Sequence, residues 1–228
     1  VTDRAEVLTL IDEITALVDD ITTKAEGYKP LRKRYNIELF GSMNGYLTMS
    51  DKLVAARNEA SQLIVEYFYT AFTRGYTESG GDEGDLTGDS DDLAWINSRT
   101  EEELGYVKTL FVTLKEAKAD EEATRETLID LAHERADGYT NTLDAVYNMG
   151  LLRGAKNQSL EWELGGTEKH CNNEPGTYGC KQLAGQKHLA KWYIARNLIP
   201  RMPYSGTTCG GHKCDCKLKN SQGKVITL

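Results

Sequence analysis

Cysteine is missing from the first 170 residues of this 228-residue chain. Proline is scarce as well: of four, only Pro30 precedes residue 175, so little interrupts helices in the first two thirds. No run approaches the ~20 apolar residues of a membrane-spanning helix. The segment VTDRAEVLTLIDEITALVDDITTK lacks the basic start and short apolar core of a secretory signal, and its acids recur at helical spacing instead. Assembly in a cytosol, with no membrane partner, is the expectation. Apolar residues at 39% and charged residues at 27% describe an ordinary soluble composition, and the length suffices for one or two domains with a real core.

Catalytic signatures are lacking too. H-E-x-x-H, the phosphate loop G-x-x-x-x-G-K-[ST], G-x-S-x-G, and the deaminase pair H-x-E with P-C-x-x-C do not occur. The His-Asn-His spacing of treble-clef nucleases is absent, and Cys214-Asp215-Cys216 is not the C-x-x-C of thiol–disulfide exchange. His133 lies in a helical pattern with no catalytic partner in view, and adjacency alone does not make His170–Cys171 a base–nucleophile pair. The chain is expected not to be an enzyme. The acidic stretch SGGDEGDLTGDSDD (residues 79–92) lacks the central Gly and closing Glu of the twelve-residue calcium loop, so it reads as a solvated, mobile break.

Charge is divided unevenly. Residues 1–150 hold 15 Lys and Arg against 30 Asp and Glu, net −15; residues 151–228 hold 12 against 5, net +7. Such polarity either joins a basic appendage to an acidic body or turns the two regions towards different partners, an acidic surface or nucleic acid facing the basic one.

Helical periodicity dominates the first region. Val7, Leu10, Ile11, Ile14, Leu17, Val18 and Ile21 form one stripe, which Gly27 and Pro30 are expected to end. Residues 31–47, with Gly41 and Gly45, read as a linker, its Arg32, Lys33 and Arg34 on a solvated turn. Ser50 is a candidate cap for a helix running to Gly75, with Leu53, Leu63, Ile64, Tyr67, Phe68, Ala71 and Phe72 as its packed face. Thr100 with Glu103 reads as a capping box opening a further helix. Residues 121–157 predict a long amphipathic helix with a break at Gly138. At Ser159 the pattern changes: SLEWELGG alternates as a strand, and residues 185–199 predict one short helix before Pro200 and Pro203. The expected fold is mainly α, an elongated helical body over residues 1–157 with a small Cys-rich, basic β/loop module over residues 158–228.

All five cysteines, Cys171, Cys180, Cys209, Cys214 and Cys216, lie in that module. An odd count in a reduced compartment speaks against a pure disulfide framework. Structural zinc needs four Cys or His ligands, and the tight pairs Cys209/His212 and Cys214/Cys216 offer one arm while Cys171 and Cys180 offer another. The spacings match no common zinc-finger template, so zinc, disulfides and plain reduced thiols stay open. The candidate metal ligands are Cys171, Cys180, Cys214 and Cys216, with Cys209 and His212 as alternates, and zinc is the expected metal.

From Glu134 onward, the order of residues resembles the C-terminal part of the phage Mu F-like minor head protein family, the head-morphogenesis proteins. Arg135, Thr140, Asn148, Gly150, Ala155 and Trp162 follow the order of that family's Arg-containing helix, helix end and Trp strand. Cys171, Cys180, Leu183, Gly185, His212, Cys214 and Cys216 follow its Cys pair, Leu-x-Gly and closing His/Cys-x-Cys. Here eight residues, NNEPGTYG, separate the first two cysteines, where the family usually has two. The closing motif, His212-Lys213-Cys214-Asp215-Cys216, is one residue shorter than the family's. The resemblance implies a virion structural protein of the portal and head region, assembled in the host cytoplasm in multiple copies, with portal or capsid proteins as partners. Non-specific DNA contact through residues 151–228 goes with that setting. A zinc-stapled nucleic-acid-binding protein outside any virion is the alternative.

Overall fold

The computed structural model describes residues 27–49, 52–87, 90–166, 170–200, 205–210 and 215–227. The apolar stripe expected over residues 7–21 and the cap expected at Ser50 lie outside the described residues. Four long helices form the body: α1 (Tyr28–Thr48), α2 (Leu53–Glu78), α3 (Asp91–Ala119) and α4 (Arg125–Gly154), with a 3-10 turn at Glu83–Asp85. Then follow β1 (Ser159–Glu163), α5 (Cys180–Leu183), β2 (Lys187–Leu189), α6 (Ala190–Ala195) and β3 (Lys217–Asn220). The fold is mainly helical with a small sheet at its C-terminal end, as the periodicity suggested. None of the described helices is long and apolar enough to cross a membrane.

Several boundaries differ from the sequence reading. The linker expected over residues 31–47 is helix α1. Its two glycines each cost about 1 kcal/mol against alanine. Yet Tyr28, Leu31, Tyr35, Leu39, Met43, Tyr46 and Leu47 are buried along it, and burying one such side chain is worth roughly 1.5–3 kcal/mol. Tertiary packing therefore outweighs local propensity. Pro30 sits in the first turn, where no intrahelical N–H is forfeited. Arg32 is not on a solvated turn: its Nε donates to Asp144 Oδ1 at 2.7 Å, and the Tyr28 hydroxyl donates to the same oxygen at 2.5 Å. Tyr28 also stacks on Tyr147, whose hydroxyl donates to Glu78 at 2.5 Å. These contacts tie α1, α2 and α4 together.

The acidic break is shorter than residues 79–92. Ser90 caps α3, its Oγ accepting the Leu93 N–H at 3.2 Å. Asp91 and Asp92 occupy the first turn, where carboxylates complement the helix dipole. Asp92 also pairs with Arg153 at 2.6 Å. At the other end Ser79 is buried and donates to the Gly75 and Tyr76 carbonyls. Thr100, read as a cap, lies buried in mid-helix. Helix α4 runs unbroken through Gly138, and the helix expected over residues 185–199 gives its first residues to β2.

Glu103 on α3 is buried and accepts from Arg99 at 2.7 Å. Burial pushes its carboxyl above the ordinary value despite the opposing pull of Arg99. The folded state thus holds this proton more tightly than the unfolded chain. The associated stability is fully present below the unfolded pKa and is lost as pH rises through the folded one. Glu103→Gln cannot titrate, so its stability relative to wild type is expected to improve as pH rises from about 4 to about 7. Denaturant unfolding of both proteins across that range checks this; a relative stability that worsens with pH contradicts it.

Beyond α4 the strands form an antiparallel sheet in the order β2-β1-β3. The alternation of SLEWE puts Leu160 and Trp162 inward, both fully buried. Leu183, Tyr193, Leu198, Ile199 and Leu218 pack into the same core, which is continuous with that of the helices. The Tyr193 hydroxyl donates to the Gln186 carbonyl at 3.0 Å, and buried Asn148 of α4 donates to the Pro200 carbonyl at 3.4 Å. On the sheet, Lys187 pairs with Glu161 and Lys219 with Glu163, so part of the local positive charge is neutralised within the chain.

Candidate metal centre

The C-terminal cysteines come from segments with little regular structure, so backbone hydrogen bonds set their meeting point. Cys171 lies after β1 in a stretch without regular structure, and Cys180 opens α5. The eight residues between them turn back at Pro175–Gly176, where the Thr177 N–H donates to the Glu174 carbonyl at 3.1 Å. Gly179 is needed for the crossing: a Cβ there would lie 2.3 Å from the backbone carbon of Asn172. The return brings the two sulfurs to 3.3 Å, and the Cys180 N–H donates to Cys171 Sγ at 3.1 Å. The long spacing between these cysteines therefore does not separate them.

Cys209 reaches the pair through a second crossing. Tyr178 and Thr207 form a parallel bridge. The Tyr178 N–H donates to Gly206 O at 3.2 Å, and the Thr208 N–H donates to Tyr178 O at 2.9 Å. The sulfur of Cys209 then lies 4.0 Å from that of Cys180 and 3.3 Å from the Thr207 hydroxyl. Ser205 in turn contacts Thr207 at 2.6 Å, which fixes that hydroxyl.

All three sulfurs fall within 4.8 Å of one another. A tetrahedral zinc with Zn–S bonds of about 2.3 Å sets its sulfurs roughly 3.8 Å apart. A disulfide requires about 2.05 Å. The observed separations suit three corners of a thiolate tetrahedron, and Cys180 is buried while Cys171 and Cys209 are half-buried. The donor set is soft and partly sheltered from water, which suits zinc and similar thiophilic ions. The cluster can hold a metal ion.

Cys216, also buried, lies just before β3 and places its sulfur 3.7 Å from Nδ1 of His170, the neighbour of Cys171. Cys214 and His212 lie outside the described residues. Of the expected ligands, Cys171 and Cys180 meet directly, and Cys209, ranked as an alternate in the sequence, joins them. His170 and Thr207 carried no sequence signal beyond adjacency to a cysteine or to the Gly-rich turn.

Comparison with protein-family models, with curated proteins and with solved structures found no match to this chain.

Proposed function

We propose that this chain is a structural component of a bacteriophage head, a minor head protein of the portal region, whose C-terminal part is stapled by zinc. The observation that carries the reading is the burial of most of the described residues on which the family resemblance rests, Arg135 and Gly185 being exposed and Cys171 half-buried. Thr140, Asn148, Gly150, Ala155, Trp162, Cys180, Leu183 and Cys216 are all buried. They lie on the end of α4, on β1 and around the cysteines. The shared residues are thus those that build an architecture, which suits an assembly part. Zinc is held in this reading by Cys171, Cys180 and Cys209, with a fourth thiolate from the Cys214/Cys216 pair. Its chemistry there is structural: thiolates from three separate stretches are tied to one ion, which couples metal loading to folding.

The test is mass spectrometry of phage particles purified from the host that carries the gene. Peptides of this chain are expected in the particles together with the portal protein. Abundance in the lysate with absence from particles overturns the reading. The rival, a nucleic-acid-binding protein, has the +7 charge of residues 151–228 in its favour. Lys187 and Lys219 pair with glutamates on the sheet, so the excess charge lies elsewhere in this region. DNA retention is expected to vanish as salt rises, since counterion release would supply nearly all the affinity. Salt-resistant, sequence-selective binding would favour the rival.

A further inference from the structure

Three thiols gathered around one point can be joined by a metal or, two at a time, by oxidation, and their spacing is unequal. The sulfurs of Cys171 and Cys180 are 3.3 Å apart, while Cys209 lies 4.0 Å from Cys180, and Cys216 contacts His170. We infer that the cluster is a peroxide-responsive modification site, in which Cys171 and Cys180 are oxidised to one disulfide and the metal is released.

Access and geometry assign the order of events. Cys180 is buried, whereas Cys171 is half-buried and on an irregular segment beside exposed Asn172 and Asn173. Of the two closest sulfurs, that of Cys171 is the one a small hydroperoxide meets first. The Cys180 N–H donates to Cys171 Sγ at 3.1 Å, which holds that sulfur beside Cys180. The Cys171 sulfur attacks one oxygen of hydrogen peroxide and the O–O bond breaks. Cys171 becomes a sulfenic acid and hydroxide leaves. Cys180 sulfur then attacks the sulfenic sulfur, the S–S bond forms, the S–O bond breaks, and the oxygen departs as water once protonated. Two electrons pass from the two sulfurs to one peroxide. Closing the 3.3 Å gap to about 2.05 Å takes side-chain rotation and small backbone adjustment, because the Pro175–Gly176 turn already holds the two segments side by side. With two of the four thiolates consumed, the two that remain no longer make a closed structural site, so zinc departs as the divalent cation. Reduction by a dithiol restores the site.

The metal-release half of this inference rests on the zinc reading; the choice of disulfide partners does not. The experiment keeps them apart. Full-length reduced protein, its zinc content measured beforehand, is treated with hydrogen peroxide in the presence of a chromogenic zinc chelator. Trypsin then liberates the peptide from His170 to Lys181, which carries both cysteines. Expected are loss of two hydrogen atoms from that peptide, zinc release in step with it, and reversal of the mass change by dithiothreitol. Cys209→Ser still forms the disulfide, and Cys171→Ser does not. Disulfide formation in protein that never held zinc refutes metal release while leaving the partner assignment in place. A Cys180–Cys209 linkage as the main product, or irreversible oxidation of Cys171 without cross-linking, overturns the partner assignment whatever the zinc content.

Discussion

Gly150→Ala is expected to lower stability by about 3 kcal/mol, roughly 10 °C in melting temperature for a chain of this size. Helix α4 passes α2 at Gly150 so closely that an added Cβ would lie 2.2 Å from the Phe72 carbonyl oxygen and 3.0 Å from its carbon. Both obstacles are backbone, so no side-chain rotation relieves the clash. The helices must separate, and Phe68, Phe72, Tyr76 and Leu152, all buried, would then lose packing. The same substitution twelve residues earlier on the same helix provides the control. Gly138 is exposed and a Cβ there meets nothing within 4 Å, so Gly138→Ala is expected to add roughly 0.5–1 kcal/mol. Thermal unfolding of the two variants beside wild type reads both signs. Equal effects, or a Gly150→Ala protein as stable as wild type, contradict the close α2–α4 crossing.

Cys180→Ala separates a metal staple from a small buried hydrophobe. With zinc a thousandfold above its dissociation constant, a site specific to the folded state adds about 4 kcal/mol. The variant is therefore expected to fall about 4 kcal/mol or more below zinc-loaded wild type. In chelator and reductant the difference should shrink to about 1 kcal/mol, the cost of lost sulfur packing. Hydrogen exchange should locate the loosening in residues 170–227 and leave α2 and α4 protected. A deficit of the same size with and without chelator would mean that Cys180 acts through packing alone.

Much of the architecture is legible from pattern. The stripe of α4 and the alternation of SLEWE stand out because local periodicity and burial coincide there. Helix α1 does not, because Gly41 and Gly45 interrupt the pattern while its stability comes from tyrosines and leucines packed on distant helices. Thr100 and Glu103 imitate a capping box, and the real cap, Ser90, is hidden in a run of acids that looks like loop. Strand β2 is three residues long, too short for period two to register.

At the candidate metal centre, the crowding of all five cysteines into the last quarter of the chain marks the region without fixing the partners. Cys209 meets Cys180 only because of the bridge between Tyr178 and Thr207, and Gly179 permits the crossing that returns Cys180 to Cys171. Neither contact is encoded by spacing. The net +7 of the C-terminal residues does not show where the charge lies: Lys187 and Lys219 face glutamates one strand away, so the excess falls on other positions. Trp162, Tyr193, Leu198 and Ile199 give this part a floor continuous with the helical core.

Elemental analysis of full-length protein, purified under reducing conditions without chelator, tests the metal centre most directly. The expected result is about one zinc per chain, falling to near zero in Cys180→Ala. Protein that is folded, free of metal, titrates with all five cysteines as free thiols and gains no stability on adding zinc would contradict it.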